Sequence, residues 1–422
     1  MGANVIATVR RAHRLEGEIR LPGDKSMSHR ALMLASIASG RSSIRGLSTG
    51  ADVHSTRDCL THLGVDIDGN IVHGVGLEGM RAAPGPLDCG NSGTTMRLLA
   101  GLLSGQAFVS ELTGDASLSR RPMDRVVEPL RRLGANAAWP PLRVGGGGRL
   151  VGTTYEMPIA SAQVKSAILL AGLRAEGTTT VVEPVATRNH TELMLAAMGA
   201  NVRSDGRRVE LSKTDWLEPL DIDIPGDFSA AAFWLVAAGL IPASRVRLLS
   251  VGVNPTRTAL ADSLTACGLR ITQSNLRAEG AEPVADLEVT PGALTRPIEV
   301  KDGLAGRMID ELPVLAVAAT QMPGRSVITG AAELKVKESD RLAAIEQGLL
   351  AMGADIKAGD DGWVINGPTK LEGAKVGSAG DHRVAMAFAI AGLMAQGKTE
   401  IDGAECVDIS YPGFFDQLEY LA

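Results

Sequence analysis

The feature that most constrains this chain is internal repetition. An Ala/Leu-rich run, a short linker and a β-prone run occur together six times: RALMLASIASGRSSI, MRLLAGLLSGQAFV, SAILLAGLRAEGTTTVV, AAAFWLVAAGLIPASRVRLL, LPVLAVAATQMPGRSVI and VAMAFAIAGLMAQGKTEI. Runs apolar on every face predict helices that are buried all round. A second pattern, a leucine, two residues, an apolar residue and a glycine, appears in LTHLGVDI, LRRLGANA, LAAMGANV, LTACGLRI and LLAMGADI, ending on Gly64, Gly134, Gly199, Gly268 and Gly353. Glycine readily takes the left-handed backbone just past a helix end, so each copy predicts a helix closing there and running into a strand. The two patterns interleave at about 65 to 85 residues, which gives every unit two helices with strands between them. The fold class is α/β.

The strongest echo, LPGDKS at 21–26 against IPGDFS at 224–229, marks the starts of the first and fourth units. The chain therefore divides into two groups of three. The stretch before Pro22 is too short for a domain and is expected to join the second group as an extra strand. The expected domains are 23–225, and 1–20 plus 228–422, joined by hinge crossovers near 21–23 and 225–228. Ligand sites favour clefts between domains, and the active site is expected there.

Polar clusters stand at the starts of the apolar helices: Lys25/Ser26/Arg30, Asn91/Thr94/Arg97, Ser161/Gln163/Lys165, Asp310/Glu311 and Asp381/His382/Arg383. Others precede the second helices: Arg121 in SLSRRPMDR, Arg188 in ATRNHTE, and Lys337, Glu338 and Arg341 in KVKESDR. The fourth unit offers only Asp227 and Ser229. Helix starts present unpaired N–H groups and a positive dipole end, so cations and hydroxyls gathered there suit anionic ligands. Several cations with a few acids suit two anionic substrates and a proton transfer.

Other readings fall away. GLMAQGKT at 392–399 fits a phosphate-binding loop by spelling, yet a helix leads in and a strand follows, the reverse of the required order. The glycine run at 145–148 beside PPLRV is expected to form a hairpin turn. A net charge of −6 argues against general nucleic-acid binding. Cys59, Cys89, Cys267 and Cys406 have no paired spacing, so neither a metal site nor a disulfide framework is expected, as in a reducing cytosol. The longest apolar run, AAAFWLVAAGLIPA, is too short to cross a bilayer. A cytoplasmic protein is expected.

In family order along the chain, LPGDKSMSHRAL, CGNSGTTMRLLAGLL, GDASLSRRPM, ASAQVKSAILLAG, EPVATRNHTE, MIDELPVLAVAA, LKVKESDRL and DHRVAMAFAIAG closely resemble the 5-enolpyruvylshikimate-3-phosphate synthase family. The resemblance implies a two-domain inside-out α/β barrel of six βαβαββ repeats, three per domain. It implies transfer of the enolpyruvyl group of phosphoenolpyruvate to the 5-hydroxyl of shikimate 3-phosphate, with neither metal nor organic cofactor. Carried onto matching positions, it puts Lys25, Ser26, Arg30, Ser161, Gln163 and Arg188 on shikimate 3-phosphate, along with Asp310 and Lys337. Gly93, Arg121, Arg341 and Arg383 fall on phosphoenolpyruvate, with Lys25 and Gln163 close by. Asp310 is expected to accept the hydroxyl proton, while Lys337, Glu338 and Lys25 complete the catalytic set. Expected partners are these two small molecules and the inhibitor glyphosate, with no nucleic acid and no membrane, and the protein is expected to be a monomer.

The chain departs from the family pattern in places. Ile409 stands where many relatives have a lysine, Ala162 where some have serine, and His190 where some have tyrosine. UDP-N-acetylglucosamine enolpyruvyl transferase is the nearest rival, but it uses lysine-asparagine where Lys25-Ser26 stand, and a loop with a reactive cysteine. An inactive anion-binding homologue is the other alternative, and the joint presence of Lys25, Asp310, Lys337 and Glu338 argues against it.

Overall fold

The computed structural model describes residues 5–301 and 303–422; the first four positions of the expected 1–20 segment lie outside the described residues. Each apolar run is a helix: Lys25–Ser36, Gly93–Leu103, Ala162–Gly172, Phe228–Leu240, Leu312–Ala319 and His382–Met394, here called the first to sixth central helices. All 11 residues of Gly93–Leu103 are buried, as its apolar surface demands. Each central helix leads into a strand: Ser39–Arg45, Val109–Thr113, Thr178–Val182, Arg245–Gly252, Gly324–Ile328 and Lys398–Asp402.

Each of these strands has a parallel neighbour on one side and an antiparallel neighbour on the other. Six small sheets result among the described residues, so the repeat read from sequence is a repeat of topology. Gly64, Gly134, Gly199, Gly268 and Gly353 have φ of 89°, 97°, 86°, 110° and 83°, the backbone that closes the second helices.

The segment before Pro22 supplies two strands where one was expected. Ile6–Arg10 pairs antiparallel with Lys398–Asp402, and Glu16–Arg20 pairs parallel with Arg245–Gly252. The break between them, RAHRL, has neither glycine nor proline, so the pair reads as one run. The glycine run is also placed differently. Strands Ala137–Ala138 and Leu142–Gly145 are joined through Trp139, Pro140 and Pro141; Gly145 ends the second strand and the other three glycines follow it. GLMAQGKT runs from the sixth central helix into Lys398–Asp402.

The chain forms two compact units. One holds Gly23–Ile224 with Ala278–Glu282; the other holds the chain up to Pro22 with Pro225–Arg277 and Pro283–Ala422. Each has its own apolar core. Within the first-named unit the second and third central helices touch through backbone, where a Cβ on Gly101 would lie 2.2 Å from the Ala167 carbonyl oxygen. In the other unit the fourth, fifth and sixth central helices pack on one another.

Candidate active site

In the unit containing Gly23–Ile224, the central-helix starts bring the charged residues together. Asp24 caps the first helix by accepting from the Met27 N–H at 2.9 Å, which orients Lys25 and Ser26 in its first turn. Lys25 Nζ donates to Asp52 Oδ2 at 2.9 Å, and Arg188 Nη1 reaches Ser26 Oγ at 3.3 Å. Arg30 is 3% exposed and its guanidinium is engaged inside the protein. Its Nε donates to Thr191 Oγ1, its Nη1 to the Ser26 carbonyl and its Nη2 to Ser166 Oγ, each at 2.8 Å. Arg30 thereby holds Ser26 from below.

The second and third helices present a linked group. Arg97 Nη1 donates to Gln163 Oε1 at 2.6 Å, and Gln163 Nε2 donates to Thr94 Oγ1 at 2.8 Å. Arg121 donates to Asn91 Oδ1 at 2.6 Å. Gly93 sits among these guanidinium groups, since a Cβ there would lie 2.8 Å from Arg97 Nη1 and 3.3 Å from Arg121 Nη1. Ser161 caps the third helix, accepting from Val164 N–H at 3.4 Å. Behind these groups a buried polar chain runs from His29 Nδ1 to Thr56 Oγ1 at 2.6 Å and on to Thr95 Oγ1 at 2.7 Å. Burial, then the positive charges of Lys25 and Arg30, push the His29 pKa well below the usual imidazole value.

The other unit gathers acids and cations around Asp310. Its Oδ1 lies 3.4 Å from Arg341 Nη1, 3.6 Å from Lys337 Nζ and 3.8 Å from Arg383 Nε. Arg341, 1% exposed at its side chain, also donates to Asp381 Oδ2 and Glu338 Oε2, each at 2.7 Å. Burial alone would lower the Arg341 pKa, but Asp381, Glu338 and Asp310 outweigh it and raise the pKa above its ordinary value. Asp381 caps the sixth helix through the Arg383 N–H at 2.9 Å, tying a backbone start to the same network. Cations thus stand ready for anionic oxygens beside a carboxylate able to take a proton.

Three placements differ from or add to the sequence reading. Lys165, grouped there with Ser161 and Gln163, points the other way and is 1% exposed, because residues two apart on a helix face nearly opposite sides. Asp52, the partner of Lys25, comes from a different element, the helix Ala51–His62, and stands outside the clusters read from sequence. The fourth central helix start is richer than expected: Arg257 Nη2 donates to Asp227 Oδ1 at 3.0 Å and to Ser229 Oγ at 2.8 Å, and Ser229 donates in turn to Glu311. The sequence carries a signal for it, since Arg257 in VNPTRTAL precedes a second helix as Arg121 and Arg188 do, and Arg341 opens one. Ile409 packs against the apolar core of its unit.

Six sheet-and-helix modules in two units, with cations and acids at the helix starts, define an α/β protein suited to small anionic molecules and a proton transfer. Solved structures of EPSP synthase from Acinetobacter baumannii superpose with TM-scores of 0.88 and 0.87 at 41% and 40% identity, one covering 100% of this chain and 98% of its counterpart, the other 99% and 98%. Proteins named 3-phosphoshikimate 1-carboxyvinyltransferase are similar along nearly the whole length: that of Desulforudis audaxviator is 50% identical over 421 residues, 97% of this chain and 98% of the relative. That of Bacillus cereus strain B4264 is 48% identical over 418 residues, covering 97% of both. The family profile described as EPSP synthase (3-phosphoshikimate 1-carboxyvinyltransferase) matches residues 9–418, and the chain belongs to that family.

Proposed function

We propose that the chain transfers the 1-carboxyvinyl group of phosphoenolpyruvate to the 5-hydroxyl of shikimate 3-phosphate and releases phosphate, a step toward chorismate and the aromatic amino acids. Family membership supports the reaction, and the observation that carries the residue roles is Asp310 with three cations within 4 Å of one carboxylate oxygen. In the addition step Asp310 takes the hydroxyl proton as the 5-oxygen bonds to C2 of phosphoenolpyruvate, while C3 gains a proton. In the elimination step C3 gives up a proton and the C2–O bond to phosphate breaks. Glu338, held at 2.7 Å by Arg341, and Lys337 serve the C3 proton and the charge that develops.

Arg121, Arg341 and Arg383, with Gly93, Lys25 and Gln163, receive the carboxylate and phosphate of phosphoenolpyruvate, arginine being suited to paired contacts with such groups. Lys25, Ser26, Arg30, Ser161, Gln163 and Arg188 receive shikimate 3-phosphate, Arg30 also fixing Ser26, with Asp310 and Lys337 meeting the reacting hydroxyl. Glyphosate competes for the phosphoenolpyruvate contacts. The protein works as a cytoplasmic monomer; its four free, buried cysteines suit a reducing compartment.

Asp310→Asn tests the central role. Its kcat should fall by roughly 10²- to 10⁴-fold, the range for losing a general base, with both KM values little changed. A variant that keeps about half its turnover would remove Asp310 from the mechanism.

A further inference from the structure

A buried lysine below the Arg188 loop is used by none of the roles above. Lys165, on the third central helix, points away from Gln163 into the protein, where its side chain is 2% exposed. Its Nζ lies 2.8 Å from Glu183 Oε2 and 2.7 Å from Glu192 Oε1. These two acids are as deeply buried as the lysine, at 0% and 4% side-chain exposure. Glu183 directly follows the strand Thr178–Val182, and Glu192 lies in the first turn of the helix His190–Ala197. Between them runs the loop 184–189, which carries Arg188.

The loop is tied to this ion cluster one residue before Arg188. Thr187 donates its hydroxyl to Glu183 Oε1 and its N–H to Glu183 Oε2, the latter at 3.4 Å. Lys165 Nζ also lies 3.5 Å from the Thr187 carbonyl oxygen. Thr187 is 7% exposed, whereas Arg188 is only half-buried and reaches Ser26 Oγ at 3.3 Å. A buried charge is tolerated only when paired and hydrogen-bonded, so each member of the cluster confines the others to one arrangement. Side chains that bind a ligand need such support to be held in place before the ligand arrives.

The geometry points to Lys165, Glu183 and Thr187 as positioning residues that fix the loop backbone so that Arg188 is already set for shikimate 3-phosphate. This rests on the ligand role proposed for Arg188. It assigns to the interior of the unit a share of the affinity for one substrate. The contacts of the clamp run to the loop that carries Arg188, so its effect falls mainly on the binding of shikimate 3-phosphate.

The test uses the full-length enzyme and steady-state kinetics with each substrate varied. Thr187→Val keeps the side-chain volume and the Lys165–Glu183 pair but removes the hydroxyl link, so it disturbs folding less than replacing the lysine. The KM for shikimate 3-phosphate should rise roughly five- to twentyfold, while the KM for phosphoenolpyruvate stays within about twofold and kcat within about threefold. Arg188→Ala should raise the same KM at least as much. Because the clamp works through Arg188, the Thr187→Val/Arg188→Ala double variant should fall short of the product of the two single effects. A lowered Tm for Thr187→Val with unchanged KM, an equal rise in both KM values, or a fully multiplicative double variant would each reduce the cluster to a structural element. An Arg188→Ala enzyme with unaltered KM would overturn the ligand role itself, and the clamp with it.

Discussion

His29 places a titrating group inside the unit that holds Lys25 and Arg30. Its ring is completely buried, and burial and the two neighbouring cations hold its pKa well below 6.5. The unfolded chain therefore binds a proton that the folded chain refuses once the pH falls below 6.5. Stability should be full above that value and decline as the pH falls toward the depressed folded value, by up to about 1.4 kcal/mol per pH unit from this residue. Urea unfolding at pH 7 and pH 5 would measure it, with His29→Gln as the comparison. The variant starts less stable, having lost a fitted side chain, but its profile should be flatter. Equal slopes in the two proteins would mean that other groups carry the acid sensitivity.

At the scale of elements, the central helices pack so closely that glycine becomes obligatory at one contact. A methyl on Gly101 would meet the Ala167 carbonyl oxygen at 2.2 Å, and backbone on both sides cannot step aside as a side chain can. Gly101→Ala should lower the unfolding free energy by about 1–3 kcal/mol, the usual cost of overpacking, seen as a lower urea midpoint with an unchanged slope. These helices were legible in the sequence because burial on all sides leaves a solidly apolar run, and the second helices because a left-handed closing residue is nearly always glycine. The two strands before Pro22 were read as one because no turn residue separates them. The helix-start clusters were legible as clusters, but their partners were not. Asp52 faces Lys25 from another helix, and Lys165 looked like its neighbours Ser161 and Gln163 until the helical turn sent it inward. Local patterning encodes which residues share an element; the pairing of charges across elements depends on three-dimensional packing.

For the whole molecule, the two units differ in how the chain builds them. The unit of Gly23–Ile224 takes only Ala278–Glu282 from elsewhere, while the other needs both ends of the chain. A fragment spanning 23–224 should therefore unfold cooperatively in urea on its own. A fragment spanning 225–422 should not, since Arg245–Gly252 would lack its parallel neighbour and Lys398–Asp402 its antiparallel one. Cooperative unfolding of the second fragment would show that these terminal strands are dispensable. The same connectivity sets a schedule during synthesis. Ile6–Arg10 leaves the ribosome nearly 400 residues before its partner Lys398–Asp402, a wait of roughly 20–80 s at ordinary elongation rates. Throughout that interval it is an unpaired strand in a crowded cell, open to pairing with the wrong chain. Arg10 closes the strand and Arg11, Arg14, Glu16, Glu18 and Arg20 follow it, so charge flanks the apolar run, an arrangement that discourages such pairing. The nascent chain thus carries its own protection against aggregation until the strand that completes the sheet is made.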